Sequence, residues 1–511
     1  MIAKTYSAIP FGFGGELVEV EGDTNRGLPA FNIVGMASKT VNEAKERVRS
    51  AITNSEFCFP DRKVTVNLAP AELLKDGTYL DLPIALTILV LSGQLLEADT
   101  RDKAFVGELS LDGEIRPIKG VINIVEAAKN AGFSSIYVPL KNLPQASLVP
   151  KINVLGVRNL QELYLTLKGQ MEPNKYDFLR HQPAADQSLS YNNVVLDHIR
   201  GQQLAKRAIE IAIAGHHNIL ISGPPGAGKT LLAKAASNLL PDLTPAETIE
   251  ITKIYSIAGL LMDEVISARP FRGPHHTASP MSIIGGGKNA SPGEISLAHK
   301  GVLFLDEIAE FPRTVLEAMR QPLEDKQIAI SRANQKTVYP SDFILIATMN
   351  PCPCGFLGDS THECKCTSAQ IQNYQKKLSG PLFDRIDLFV EVAKVANQDL
   401  RKGTDGDAAS SEHSVVKNTI TGAITRQRER YARDGIYNGS LSSFEVSKLI
   451  KLQPKADKLL SDASERLGLS ARAYFKTIKV AQTIADLEGA NVVSASHLAE
   501  ALIYRKKEPK Y

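Results

Sequence analysis

The chain has 511 residues, several times the length that one hydrophobic core needs, so we expect about three domains. Hydrophobic residues make up 43% of the sequence and charged residues 23%, an ordinary globular composition, and no apolar run approaches the roughly 20 residues of a membrane span. The net charge of +3, from 59 Lys and Arg against 56 Asp and Glu, is too small to indicate nucleic acid from composition alone. The N-terminal residues have no sustained apolar stretch or cleavage site, so we expect a cytoplasmic protein.

Residues 1–170 show the pattern of one α/β domain. Short β-branched runs at 64–69 and 135–139 alternate with helical patterns such as the one at 121–132. The polar stretch that follows lacks periodicity and contains two prolines, so we expect a linker at 171–193.

Residues 194–395 alternate apolar strands with helical segments, which is typical of a mostly parallel sheet wrapped by helices. After a loop rich in Gly, Asp and Ser at 403–413, a 3.6-residue periodicity continues to the C-terminus. The sequence therefore predicts a second α/β domain followed by a small helical lid at 396–511.

A phosphate-binding loop is the most specific motif of the chain. The segment 218–235 is a strand, a Gly-rich loop and a helix, and it matches G-x-x-x-x-G-K-[ST]. In such loops the backbone N–H groups and the helix N-terminus face the phosphates, so we expect Lys229 to reach the β and γ phosphates and Thr230 to ligate Mg²⁺. The predicted ATP-binding residues are Gly223, Pro224, Pro225, Gly226, Ala227, Gly228, Lys229 and Thr230.

Two further apolar strands end in polar residues suited to phosphoryl transfer. Asp306 and Glu307 follow a buried strand, where Asp306 is expected to hold the Mg²⁺ shell and Glu307 to polarise the attacking water. Asn350 ends the next strand, and its amide is a candidate to orient that water. The alternative is an Asn that caps a turn before Pro351.

Two arginines are candidates to complete the site. Arg385 precedes the last strand of the core, where it would stabilise transition-state charge on a neighbouring subunit's nucleotide. Arg472 opens a lid helix, where a cation would meet the phosphates from the other side. For each arginine the alternative is a surface salt bridge.

Four of the five cysteines fall within fifteen residues, in the loop 352–366, which in a cytosolic chain favours a metal over disulfides. Four thiolates can close a tetrahedral Zn²⁺ site, although the spacing C-x-C is less usual than C-x₂-C. His362 lies close by in sequence, and the alternative is a reduced, partly exposed thiol cluster. The candidate zinc ligands are Cys352, Cys354, Cys364 and Cys366.

An insertion between the phosphate loop and Asp306 contains His275 and His276. Adjacent side chains diverge on a strand or a helix, so a shared metal is not expected. We interpret the insertion as a pore-facing loop in which Lys288 meets phosphates, and Arg332, in a predicted hairpin, is a similar candidate. The alternative is a plain surface loop.

These motifs resemble the magnesium-chelatase-like AAA+ proteins of the YifB/ComM family across essentially the whole chain. The resemblance is carried by GPPGAGKT, RPFRGPHHTASP, GEISLAHKGVLFLDE, ATMNPCPCG and LSGPLFDRIDL. It implies a Walker A motif at 223–230, a Walker B motif at Asp306 and Glu307, sensor 1 at Asn350, an arginine finger at Arg385 and sensor 2 at Arg472. It further implies a homo-hexameric ring, and a DNA helicase that promotes branch migration while transforming DNA is integrated.

The N-terminal region resembles the Lon protease domain in KDGTYLDLPIAL and VGELSLDGEIRPIKGVINIVEAAKNAG, with one departure. The match places Tyr79 where the family has its nucleophilic Ser and Ile122 where it has its Lys. Neither an activated nucleophile nor a base is then available, so we expect no proteolysis but a structural or DNA-binding platform.

Three functional hypotheses follow. The first is a ring-shaped DNA motor, the second is a chelatase-type or chaperone-like ATPase that remodels a protein partner, and the third is a Lon-like protease. Tyr79 and Ile122 disfavour the third. A chelatase motor subunit does not need a Lon-like domain, which favours the DNA motor over the second.

Overall fold

The computed structural model describes residues 2–36, 38–176, 194–261, 264–287, 290–332, 335–359, 362–378, 380–394 and 411–505, without the side chains of 331–336. Most of the predicted linker at 171–193, most of the loop at 403–413, and Lys288 lie outside the described residues. Within the described ranges, no helix is long and apolar enough to cross a membrane.

The N-terminal region is a mixed seven-stranded sheet with helices against it. Its strands are β1 Ile2–Phe11, β2 Gly14–Asn25, β3 Ala30–Val34, β4 Lys63–Ala69, β5 Lys103–Phe105, β6 Glu108–Leu109, β7 Ile115–Arg116, β8 Ser135–Pro139 and β9 Asn153–Val157. Its helices are α1 Lys39–Asn54, α2 Asp81–Leu91, α3 Glu97–Thr100, α4 Val121–Asn130, α5 Leu143–Ala146 and α6 Leu160–Leu167. The strand order is β3-β4-β2-β1-β5-β8-β9, and β6 pairs with β7 separately.

Three elements predicted in this region are confirmed at β4, α4 and β8, within one or two residues of the predicted bounds. The long antiparallel hairpin of β1 and β2 was not predicted. Gly12 turns between its strands with a positive φ of 58°, a conformation that a residue without Cβ adopts without strain.

The central region is built on a five-stranded parallel sheet of order β11-β14-β17-β10-β18. Its strands are β10 Ile219–Ser222, β11 Phe271–Arg272, β14 Val302–Leu305, β17 Ile344–Met349 and β18 Leu388–Glu391, with a small antiparallel pair β12 Gly285–Gly286 and β13 Ser291–Pro292. Its helices are α7 Gln203–Gly215, α8 Lys229–Asn238, α9 Pro245–Ala258, α10 Pro280–Ile284, α11 Glu294–Leu297, α12 Arg313–Ala318, α13 Arg320–Asp325, α14 Ser368–Lys376 and α15 Gly380–Phe383. Most residues of these strands are apolar, as expected for a parallel sheet covered by helices.

The register of this sheet places the ends of three strands side by side. Ser222 of β10 pairs with Met349 of β17, and Leu305 of β14 pairs with Ala347 of β17. The residues that follow these strands therefore share the carboxyl edge of the sheet, where ligands of open parallel sheets bind.

A predicted hairpin is confirmed between α13 and β17. Strands β15 Gln327–Arg332 and β16 Gln335–Pro340 pair in antiparallel register, with Arg332 opposite Gln335 at the distal end. The backbone therefore places Arg332 in the last residue pair of the hairpin.

The C-terminal region is helical, as predicted, and it shares a hydrophobic core with the parallel sheet. Its helices are α16 Glu412–Tyr431, α17 Ser443–Leu449, α18 Pro454–Leu467, α19 Ala471–Leu487 and α20 Ala495–Ile503. Ile420 of α16 and Ile484 of α19 are fully buried in the same cluster as Ile219 and Ile221 of β10. The lid is therefore packed on the core.

The N-terminal region contacts the central region through α4 and the β1–β2 turn. Gly120 donates its backbone N–H to the carbonyl oxygen of Ser256 at 3.2 Å, and Lys253 forms an ion pair with Glu126. The Lys253 ammonium also lies 4.3 Å from the ring centre of Phe13 in the turn. These contacts join the turn to α9.

Candidate active site

The phosphate loop connects β10 to α8 at the carboxyl edge of the parallel sheet. Gly226 and Gly228 have φ values of 77° and 83°, which a residue without Cβ adopts without strain. Gly223 is needed for a different reason, because a Cβ there would lie 2.3 Å from the backbone oxygen of Val392. The three glycines thus shape the loop and let it lie against the end of β18.

Lys229 links the phosphate loop to the neighbouring strand. Its ammonium donates to the backbone oxygens of Gly223 at 2.5 Å and Pro224 at 3.1 Å, and to Oδ1 of Asn350 at 3.0 Å. Burial lowers the pKa of Lys229, and the charges of Asp306 and Glu307 oppose that shift. The lysine and Asn350, predicted as parts of one site, therefore lie together.

Asp306 and Glu307 occupy the end of β14, beside the phosphate loop. Oγ1 of Thr230 donates to Oδ2 of Asp306 at 3.4 Å, so the two side chains proposed to hold Mg²⁺ face each other. Glu307 has φ 52° and ψ 51°, a strained conformation for a residue other than Gly that is typical of functional sites. A hydroxyl and a carboxylate are oxygen ligands that suit Mg²⁺.

Thr348 fixes this geometry and is not among the residues predicted from the sequence. Its Oγ1 donates to Oδ1 of Asp306 at 2.5 Å and accepts the backbone N–H of Glu307 at 3.0 Å. Thr348 is fully buried in β17. A hydroxyl in an otherwise apolar strand, two residues before Asn350, was the available signal.

Tyr374 of α14 is a second missed residue. Its side chain is buried, and it lies close enough to Glu307 and Glu310 for their charges to act on it. Burial raises the pKa of Tyr374 to about 12, and the charges of Glu310 and Glu307 contribute to that shift. Tyr374 is therefore a neutral phenol at neutral pH.

Arg385 lies at the amino ends of the parallel strands, whereas the phosphate loop of the same chain lies at their carboxyl ends. Its backbone oxygen accepts Nδ2 of Asn218 at 3.1 Å, just before β10, whereas the phosphate loop follows β10. A strand of four residues separates these edges by roughly 13 Å. Arg385 is held by the backbone oxygens of Arg320 and Pro381, at 3.2 Å and 2.7 Å, and by an ion pair with Glu324.

Arg472, at the start of a lid helix as predicted, lies beside Arg385. Its Nη2 donates to Oε1 of Glu324 at 3.2 Å, while Arg385 contacts the other oxygen of that carboxylate. Arg472 therefore lies near Arg385 in the single chain, and its role as sensor 2 stays a prediction. Both arginines line a cleft of about 470 Å³ between the core and the lid.

A buried ion pair fastens the lid to the segment that carries Arg385. Nζ of Lys476, one turn after Arg472 in α19, lies 2.7 Å from Oδ1 of Asp387 and donates to the backbone oxygen of Ile386 at 3.3 Å. Burial alone would raise the pKa of Asp387, but Lys476 and His217 hold it well below its ordinary value. The carboxylate is thus ionised at neutral pH.

The four predicted zinc ligands lie together. The Sγ atom of Cys352 is 3.3 Å from that of Cys354 and 3.6 Å from that of Cys364, and all four sulfurs lie within 4.8 Å of one another. Four thiolates around one Zn²⁺ at ~2.3 Å are separated by roughly 3.8 Å, so this donor set fits the ion. His362 instead stacks on Phe356, with ring centres 4.9 Å apart.

The expectation that His275 and His276 diverge is wrong. Their ring centres are 4.2 Å apart, because the segment after β11 is a turn rather than a strand or a helix. His276 also contacts Phe311 edge-on at 6.4 Å. Their role at a pore stays a prediction.

The two positions that the Lon resemblance assigns to a catalytic dyad hold hydrophobic side chains. Ile122 is fully buried in α4, and Tyr79 packs as a partly buried ring against two hydrophobic clusters. The absence of proteolysis stays a prediction.

A phosphate loop on a parallel sheet, paired carboxylates and a polar residue on the next two strands, and a helical lid together define the AAA+ class of P-loop ATPases. Three family models match this chain: "Magnesium chelatase, subunit ChlI" at residues 195–400, "Subunit ChlI of Mg-chelatase" at 20–142, and "Magnesium chelatase, subunit ChlI C-terminal" at 410–505. The chain belongs to the YifB/ComM family of magnesium-chelatase-like AAA+ proteins. The predicted α/β fold class is confirmed.

Two similar proteins match nearly the whole of this chain, and a third matches part of it. Competence protein ComM of Haemophilus influenzae is 42% identical over 509 residues, which are 99% of this chain and 97% of that protein. Uncharacterized protein YifB of Salmonella typhimurium is 39% identical over 509 residues, again 99% of this chain and 97% of that protein. A Lon protease of Mycolicibacterium smegmatis is 23% identical over 171 residues, 32% of this chain and 22% of that protein.

Proposed function

We propose that this AAA+ ATPase assembles into a homo-hexameric ring and uses ATP hydrolysis to move DNA, as a branch-migration helicase in recombination of transforming DNA. The observation that supports a ring is the placement of Arg385 and Arg472 near the amino ends of the strands, away from the phosphate loop at the carboxyl ends. A head-to-tail interface brings opposite edges of two subunits together, and such interfaces close into rings. Each nucleotide site is then completed by a neighbour.

Within a subunit, the roles follow from position. The phosphate loop binds ATP, Lys229 neutralises phosphate charge, and Thr230 with Asp306 holds Mg²⁺. Mg²⁺ supplies neutralisation of the charge that develops on the phosphates. Glu307 polarises the attacking water and Asn350 orients it, while Thr348 keeps the two carboxylates in register.

The full-length relative named as a competence protein supports DNA as the cargo, because the alignment includes the N-terminal region as well as the motor. The second candidate is a chelatase-type or chaperone-like ATPase that remodels a protein. The family models named for magnesium chelatase favour that alternative.

A direct test is ATPase activity with and without single-stranded, duplex and four-way-junction DNA. DNA contacts in a pore are phosphate contacts, so binding should ignore sequence and fall with salt by a log-log slope of about −0.7 to −0.9 per phosphate. Arg332→Ala and Lys288→Ala should lower DNA-stimulated ATPase and junction migration while basal ATPase remains.

A matched control for this test is Arg313→Ala, which removes an arginine that is 86% exposed and paired with Glu317. It should leave DNA stimulation unchanged. Basal turnover that no DNA structure alters at low salt, in a sample with confirmed hexamers, would favour the protein-remodelling alternative.

We also propose that Cys352, Cys354, Cys364 and Cys366 hold one Zn²⁺. Elemental analysis of purified protein should find about one zinc per chain, and replacing Cys352 and Cys354 together with Ser should remove it. A folded, active preparation that was made without chelators and holds no zinc would leave a reduced thiol cluster as the explanation.

A further inference from the structure

The cysteine loop, whose described residues are 351–359 and 362–367, contacts the phosphate loop directly. A Cβ on Gly355 would lie 2.8 Å from Cδ and 3.1 Å from Cγ of Pro225, and 4.0 Å from Cγ of Asn350. The cysteine loop also begins at the residue after Asn350. One turn of this loop therefore touches both the ATP-binding loop and the residue proposed to orient water.

The middle of the cysteine loop contacts the segment after β18, which also lies beside the phosphate loop. The carboxylate of Asp359 lies 2.9 Å from Nζ of Lys394, which follows β18, and the same Nζ lies 5.5 Å from the ring centre of Phe356. Nε2 of Gln202 donates to the backbone oxygens of Ala227 and Ala393, at 3.3 Å and 2.5 Å. The cysteine loop thus shares an anchor with the phosphate loop.

Little regular structure holds the cysteine loop itself. Its described residues form no helix or strand, and two short-range backbone hydrogen bonds, from Gly355 to Cys352 and from Asp359 to Phe356, stabilise its turns. The thiol cluster joins the turn beside Pro225 to the segment that enters α14. A metal in that cluster would replace missing secondary structure, as in small zinc domains.

We propose that Zn²⁺ bound by the four thiolates braces the nucleotide site, holding Gly355 against Pro225 and fixing Asn350, and so sets the affinity for ATP. The inference rests on the proposed ATP-binding role of the phosphate loop. Removal of the ion lets the turn at Gly355 move away from Pro225. The phosphate loop then loses its preorganised shape, and its affinity for ATP falls.

A pair of glycines tests the contact without removing a thiol. Gly355 and Gly358 have φ values of 84° and 80°, so Ala is strained similarly at both, but only at Gly355 does the new Cβ meet Pro225. Gly355→Ala should weaken binding of a fluorescent ATP analogue about tenfold. It should also lower kcat/KM by about 10- to 100-fold.

Gly358→Ala is the control and should change both quantities by no more than about twofold, because among the described residues no atom beyond its chain neighbours lies within 4 Å of the added Cβ. Both variants should keep their zinc by elemental analysis. Equal losses of ATP affinity in the two variants would overturn the proposed contact.

Metal removal gives the second readout. A zinc-selective chelator is added, Mg²⁺ is restored, zinc release is followed with a chromogenic dye, and affinity for the ATP analogue is measured. Affinity should fall about tenfold as zinc leaves and recover when zinc is returned. Unchanged affinity in zinc-free protein, or a purified chain that never contains zinc, would overturn the inference.

The Lys229→Ala variant separates the two proposals. Lys229 is not a zinc ligand, so this variant should keep its zinc and fail to bind the analogue. If Lys229→Ala binds normally, the proposed ATP site itself fails. If it does not bind while zinc removal leaves the wild-type affinity intact, only the bracing role fails.

Discussion

Lys229→Ala is expected to abolish binding of MgATP, whereas Glu307→Gln is expected to keep ATP bound and to stall its hydrolysis. The difference follows from position. Lys229 contacts two phosphate-loop carbonyls, whereas Glu307 follows β14, which is separated from β10 by β17 in the sheet. Loss of a group that acts on the water lowers kcat by about 10²- to 10⁴-fold. Binding of a fluorescent ATP analogue and release of phosphate measure the two effects separately.

Lys234→Ala is the matched control for charge, because Lys234 lies in the same helix α8. It should bind and hydrolyse ATP normally. Equal loss of ATP binding in Lys229→Ala and Glu307→Gln would contradict the proposed division of roles. It would mean that Glu307 supports the fold of the site rather than the chemical step.

The local parts of the site were predictable because their signals are contiguous. The phosphate loop combines a strand, three glycines and a helix within one segment, and the strands before Asp306 and Asn350 are apolar runs. Parallel strands place their ends at one edge of a sheet, so the grouping of these residues followed from the pattern. The proximity of the four cysteines was predictable because they lie in one short loop.

The contacts that the sequence did not reveal join distant segments. Glu324 meets Arg385 across 61 positions and Arg472 across 148, and no periodicity encodes such pairs. The contact between Arg472 and Glu324 was not predictable for the same reason, because it depends on how the lid packs on the core. Thr348 has a local signal, but its partners lie on another strand.

Arg385→Ala is expected to bind ATP normally and to lose about 10³- to 10⁵-fold in kcat, the range typical of arginines that stabilise transition-state charge in phosphoryl transfer. The arginine is already oriented in the single chain by the backbone oxygens of Arg320 and Pro381, at 3.2 Å and 2.7 Å. Truncation removes the charge and leaves the phosphate loop at the other edge intact. Arg313→Ala is again the control.

Mixing variants decides whether Arg385 acts between subunits. In rings that contain Arg385→Ala and Lys229→Ala chains in equal amounts, about one quarter of the interfaces pair an intact phosphate loop with an intact arginine. Turnover should therefore recover toward about one quarter of the wild-type value, although each variant alone is inactive. If mixed rings, verified by mass, show no recovery, Arg385 does not act on a neighbour's nucleotide. Its role is then structural and lies within one chain, where it pairs with Glu324, which also contacts Arg472 of the lid.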